Sequence, residues 1–140
     1  MKYINAKGLI LGRMASQVAK MLLNGEEVVI VNSEETIITG SRENIFEQFE
    51  TKRRRTHRRK GPNYPRMPDR IIKRTVRGML PYKSSHGKEA FQRLKVYIGV
   101  PKEFANAKLE TLEKAGIKKT LKFLTVGEVS QHMGSKYKVV

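Results

Sequence analysis

The chain has 140 residues, 39% of them hydrophobic and 30% charged, with 29 Lys/Arg against 13 Asp/Glu and a formal net charge of +16. It has no Cys, which excludes disulfides, thiolate metal sites and thiol nucleophiles. The opening Met1-Lys2-Tyr3-Ile4-Asn5 lacks the apolar run of a signal peptide, and stretches such as Val28–Val31 are too short to span a bilayer, so a soluble cytoplasmic protein is expected.

The length suits one domain spanning residues 1–140. Tyr3, Ile4 and Asn5 form a short strand candidate. Leu11, Met14, Ala15, Val18 and Leu22 then recur at the spacing of a helix with one buried stripe. Asn24-Gly25 stops that helix, Gly supplying the left-handed residue after its end. Residues 27–31 read as a strand covered on both faces, so the first forty residues suggest a β-α-β unit with a parallel strand pair. Residues 36–39 are another short strand candidate. Ser41 caps a helix to about Thr51, with Ile45, Phe46 and Phe49 inward and Glu43 in the favourable first turn.

The middle changes character. Residues 51–95 hold 16 Lys/Arg against two acids, a net +14, whereas residues 1–50 are −2 and residues 96–140 are +4. Charge concentrated in this way needs a polyanion to lie against, and nucleic acid is the densest in the cell. Such a segment has little to bury, so a core made by the two ends of the chain is expected, with 53–68 mobile until RNA binds. Pro62, Pro65 and Pro68 recur every third residue and favour an extended path. Asp69 reads as the cap of a helix from Arg70 to about Leu80. Ser84 or Ser85 caps another, containing Ala90, Phe91 and Leu94. Residues 95–100 tend toward a buried strand closed by Pro101, and 118–125 toward extended chain. Thr125-Val-Gly-Glu128 has capping-box spacing before a short terminal helix.

Two features in the middle carry chemistry. Arg70, Lys73, Arg74 and Arg77 share one helix face, with Ile72, Val76 and Met79 opposite, so one side docks and the other presents cations. An isolated basic face is usually just solvated; here the near-absence of acids makes self-repulsion large without a partner. The basic arm, at about 52–68, begins at Lys52 and contains Arg53, Arg54, Arg55, His57, Arg58, Arg59 and Lys60, then Arg66. Arg predominates, which favours bidentate phosphate contacts and stacking on unpaired bases. Lys83, His86, Lys88 and Arg93 extend the candidate RNA-binding set. Arg13, beside a helix N-terminus after Gly8 and Gly12, can hold one phosphate, although neither phosphate-loop glycine pattern is present.

Other chemistry is weakly signalled. His57, His86 and His132 lack metal-ligand spacing. Glu34 and Glu35 follow a strand, where α/β enzymes place carboxylates, yet adjacent acids in a loop are more often solvated. An RNA-binding structural protein is the reading that fits best. Its rivals are a DNA-binding architectural protein and a nucleic-acid-processing enzyme using Glu34 or Glu35.

The segment Arg74-Thr-Val-Arg-Gly-Met-Leu-Pro81, followed by Gly87, Ala90 and Leu94-Lys-Val-Tyr-Ile-Gly-Val-Pro101, closely resembles the large-subunit ribosomal protein family numbered thirteen, in its shorter archaeal form. Leu11-Gly-Arg-Met-Ala-Ser16, Val31-Asn32, Thr39-Gly40 and Gly61-Pro62 fall in the family's order, so the resemblance covers most of the chain. It implies a three-layer α/β/α fold around a four-stranded, mainly parallel sheet, with a basic RNA-binding extension. It further implies a non-enzymatic role without cofactor, metal or small-molecule substrate. The implied partners are large-subunit ribosomal RNA, bound early in assembly, and neighbouring ribosomal proteins. Asn5 stands where the family usually has Asp, and its amide oxygen can replace the carboxylate as an acceptor.

Overall fold

Four short parallel strands lie at the centre of the computed structural model, which describes residues 1–55, 57, 59–61, 63–117 and 122–136. They are β1 (Lys2–Asn5), β2 (Val28–Val31), β4 (Leu94–Val96) and β5 (Leu109–Glu110), in the order β4-β2-β1-β5. The register aligns Ile4 with Ile30 and Ile30 with Val96, and Val28 with Leu94. Strand side chains alternate between faces, so these five residues line one face, and all belong to the buried core.

Three helices pack with that face: α1 (Leu11–Leu23), α3 (Pro68–Gly78) and α4 (Ser85–Gln92). The stripe read from the sequence holds for α1, where Leu11, Met14, Ala15, Val18, Ala19 and Leu22 are all buried. The opposite sheet face carries Tyr3 and Val29, and Val29 and Val31 are fully buried. There the link from β4 to β5 crosses the sheet, and its 3-10 turn Lys102–Phe104 sets Phe104 against Tyr3 at 5.3 Å and Tyr97 at 5.5 Å. The chain is a single α/β domain around a parallel sheet.

The strand candidate at 36–39 is β3 (Ile37–Thr39), and it lies off the main sheet. It pairs antiparallel with β6 (Phe123–Thr125), which realises part of the extended segment expected at 118–125; residues 118–121 lie outside those described. Thr125 then makes both halves of its capping box with Glu128 and starts α5 (Val126–His132). The fourth strand of the main sheet, β5, is only two residues long and has no sequence signature.

Helix α2 (Arg42–Arg54) begins where Ser41 accepts a hydrogen bond from the Asn44 N–H, but it continues a full turn into the basic run. Its outer side meets α5. The His132 ring stacks on Phe46 at 4.0 Å and hydrogen-bonds Glu50 at 2.5 Å. That hydrogen bond, more than the nearby charges and against partial desolvation, holds the Glu50 carboxyl below its ordinary value. A depressed carboxyl contributes stability above its unfolded value, and loses it as pH falls through the folded one. Glu50→Gln is therefore expected to lower Tm slightly at neutral pH, the gap to the parent closing below about pH 4. A gap that persists at lower pH would show that the effect is not ionic.

Asn5 behaves as the amide substitution requires. Its Oδ1 accepts from the Lys7 N–H at 3.1 Å and from Asn32 Nδ2 at 3.0 Å, which ties the ends of β1 and β2 together.

The expectation that the two ends alone make the core is corrected. Helix α3 contributes Ile71, Ile72 and Val76, all fully buried, and packs extensively on α1. Each fully buried aliphatic side chain contributes about 1.5–3 kcal/mol, so the basic middle brings its own anchor. Two further details differ. The helix starts at Pro68, with Met67 as the capping position and Asp69 in the first turn. Pro tolerates that first position because its missing N–H has no partner in any helix. The helix ends at Gly78, and Met79 is exposed rather than docked; Leu80 turns inward in its place.

Candidate nucleic-acid interface

The cationic face of α3 does not stand alone. A groove of about 770 Å³ runs between it, the end of α2 and the Asn63-Tyr64-Pro65 stretch. Arg70, Lys73, Arg74 and Arg77 come from α3, and Lys52 and Arg55 from the end of α2. Six cations thus line one depression. The ion pairs among the described residues are Lys2–Glu26, Lys7–Glu35, Arg54–Glu50 and His132–Glu50, so none of the six is matched by a carboxylate of the described residues.

Aromatic rings hold two of these cations in place. Lys52 Nζ lies 4.8 Å from the Phe49 ring centre and 5.2 Å from that of Tyr64. The guanidinium of Arg77 lies 5.3 Å from the Tyr82 ring, which meets Phe91 edge-on at 5.6 Å. Burial pushes the Tyr64 phenol above its ordinary value, against the charge of Arg74, so it stays a protonated donor at neutral pH. The arrangement offers six cations, two of them held by rings, a phenol and ring surfaces, which suits phosphates and bases together.

A second depression, about 320 Å³, lies where α2 meets α5 and is lined by Glu50, Arg53, Arg54, His132 and Met133. It differs in kind, because its charges already have partners. Arg54 pairs with Glu50 at 3.1 Å, and Arg53 donates to the Met133 carbonyl. The structure thereby separates cations that sequence treats as equivalent. Arg93 is also engaged, donating to the Leu22 carbonyl at the end of α1 at 3.0 Å.

The remaining candidates lie outside the main groove. His57, Arg59, Lys60 and Arg66 are exposed along the arm, and Lys83, His86 and Lys88 around the start of α4. Arg13 is exposed on the first turn of α1. Arg58 lies outside the described residues, as does Pro62. Sequence reasoning missed Asn63, Tyr64, Met79 and Phe91 as groove lining. The apolar and aromatic residues beside the Arg-rich stretches were the available signal.

Glu34 and Glu35, the carboxylates of the enzyme rival, have structural partners. Glu34 Oε2 accepts from the Gly99 N–H at 2.9 Å and so pins the link leaving β4; Glu35 lies 3.7 Å from Lys7 Nζ.

The arm is less independent than its charge suggests. Tyr64 packs edge-on against Phe49 at 5.9 Å, the Ser130 hydroxyl donates to the Arg66 carbonyl, and Pro68 is buried. Residues 63–68 are therefore tied down before any partner arrives. Brief trypsin treatment of the free protein is expected to cut first after Arg55, Arg59 or Lys60, and later after Arg66. Added ribosomal RNA should protect all four bonds; early cleavage after Arg66 would show that these contacts do not order the segment.

Comparison with known proteins bears on what such a surface is for. A family profile described as Ribosomal protein L13 matches residues 1–103. The large ribosomal subunit protein uL13 of Methanococcoides burtonii is 52% identical over 139 residues, covering 98% of this chain and 100% of its own. The proteins of the same name from Archaeoglobus fulgidus and Methanocaldococcus jannaschii are 49% and 47% identical, over 94% and 98% of this chain and 86% and 100% of theirs.

Proposed function

Because the chain belongs to the Ribosomal protein L13 family, we propose that the groove between α2 and α3 is where it grips large-subunit ribosomal RNA. The protein is a structural constituent of the large ribosomal subunit, not an enzyme, and works in the ribosome beside RNA and other ribosomal proteins. What supports the groove as the contact is the convergence of six cations that no carboxylate of the described chain neutralises.

The division of labour follows from the fold. The parallel sheet and α1 hold α3 by its buried Ile71, Ile72 and Val76, so the opposite face of α3 is presented in fixed geometry. Phosphate contacts supply affinity, and the shape of the groove against folded RNA supplies selectivity. Exposed cations at Arg59, Lys60, Arg66, Lys83 and Lys88 widen the contact on either side. The arm at about 52–68 and the basic helix act as one surface.

A salt titration of binding to purified large-subunit ribosomal RNA tests this. Each phosphate contact contributes about 0.7–0.9 to the slope of log affinity against log salt. Six contacts predict a loss of roughly 300- to 2000-fold in affinity between 50 and 200 mM salt. A flat response would sink the electrostatic grip. Competition against duplex DNA of equal phosphate content separates the architectural DNA-binding alternative, which requires DNA to displace the RNA.

A further inference from the structure

Charge leaves one edge of the groove unexplained. Met79, 43% exposed, lines the groove, and Tyr82, 41% exposed, lies just outside the lining, against its Arg77 and Phe91. Phosphates gain nothing from a thioether or a ring. Beside cations, an exposed ring and a thioether offer what phosphates do not use and a base does, a flat and apolar surface to lie on.

We propose, building on the RNA-binding reading above, that this end of the groove takes an unpaired base of the RNA. Its phosphates lie on Arg74 and Arg77, and the base lies against Met79 and the Tyr82 ring. Phe91 meets Tyr82 edge-on at an interplanar angle of 87°, and the Arg77 guanidinium sits 5.3 Å from the Tyr82 ring centre. These two neighbours hold the ring in one orientation, so little freedom remains to be lost when a base stacks on it. The groove is large enough. A cavity of about 150 Å³ holds a benzene ring, and this one is about 770 Å³. A paired A-form helix cannot use such a wall, because its bases are stacked inside and its deep groove excludes side chains. An unpaired base has a free face and stacks on any flat ring.

The turn that carries Tyr82 is built for this placement. Ser84 caps α4 and its hydroxyl also donates to the Pro81 carbonyl at 2.8 Å, which closes the turn below the ring. Both Met79 and Tyr82 lie outside the buried core, so changing them leaves the anchor of α3 intact.

The test uses the whole chain with two probes of equal phosphate number, an unstructured oligouridine strand and an A·U RNA duplex, at low salt. Met79→Ser with Tyr82→Leu keeps apolar packing on Phe91 but removes the flat ring. It is expected to weaken strand binding by about 5- to 150-fold, the range for one stacked base, and to change duplex binding less than two-fold. Tyr82→Phe retains the ring and should bind the strand like the parent. Equal losses on both probes, or no loss on the strand, would overturn the unpaired-base assignment while leaving the groove an RNA site. If the parent binds neither probe nor purified ribosomal RNA, the assignment falls together with the reading it rests on.

Discussion

Arg74→Glu combined with Arg77→Glu is expected to abolish ribosomal RNA binding and subunit incorporation while leaving Tm within a few degrees of the parent. Both residues line the groove, neither pairs with a carboxylate among the described residues, and the helix is held by its other face. Exposed charges contribute little to stability, typically ~0–1 kcal/mol each. Arg77 also loses its contact with Tyr82, worth about 0.5–1 kcal/mol at an exposed site. For RNA the effect is much larger, because each reversal removes one phosphate contact and adds repulsion to its neighbours. The salt dependence of any residual binding should fall by about 0.7–0.9 per lost contact. Unfolding of the double variant, or normal incorporation, would show that RNA lies on another face.

The second large effect is on folding, and arises at Gly87 in the first turn of α4. A Cβ at Gly87 would lie 2.0 Å from the Pro81 carbonyl oxygen and 2.9 Å from the Tyr82 nitrogen. Both are backbone atoms, and the Ser84 cap holds that turn in place. Gly87→Ala must therefore push α4 away from the turn, or open it. Overpacking commonly costs about 1–3 kcal/mol and more where backbone has to move. A loss of roughly 10 °C in Tm is expected, well beyond the small gain that Ala brings to a helix. Because the same turn carries Tyr82, RNA binding below the new Tm should weaken too. A Tm equal to the parent's would mean the turn is soft. Met79→Ala is the contrasting case, an exposed residue whose loss leaves Tm close to unchanged. Ile72→Ala, at a fully buried position, should cost about 2–5 kcal/mol.

The sequence by itself determined whatever depends on near neighbours. The stripe of α1, the Ser41 cap, a serine cap at 84 or 85, the Thr125 capping box and the segregation of charge into residues 51–95 were all legible. Each is set by spacing within one or two turns of chain. The cation face of α3 was legible for the same reason, since Arg70, Lys73, Arg74 and Arg77 share it through helix rotation alone.

Tertiary structure decided the rest. Met79 was read as core by extending the helical rotation one residue past Gly78, where the helix has ended and chain direction takes over. Strand β5 exists because β1 offers a free edge to Leu109 and Glu110; two residues carry no periodicity of their own. Ile37–Thr39 has strand character, but which sheet it joins depended on β6, some 85 residues away in the chain. The cations divide in the same way. Arg53 and Arg93 have the composition of RNA contacts, yet their guanidinium groups donate to the Met133 carbonyl just beyond α5 and the Leu22 carbonyl in the last turn of α1. Helix ends leave carbonyls without partners, and only the packed arrangement brings a distant Arg to them. Lys52 and Arg55 became part of one groove with α3 because Tyr64 packs on Phe49 and folds the arm back. Charge is a property of the residue; a partner for that charge is a property of the fold.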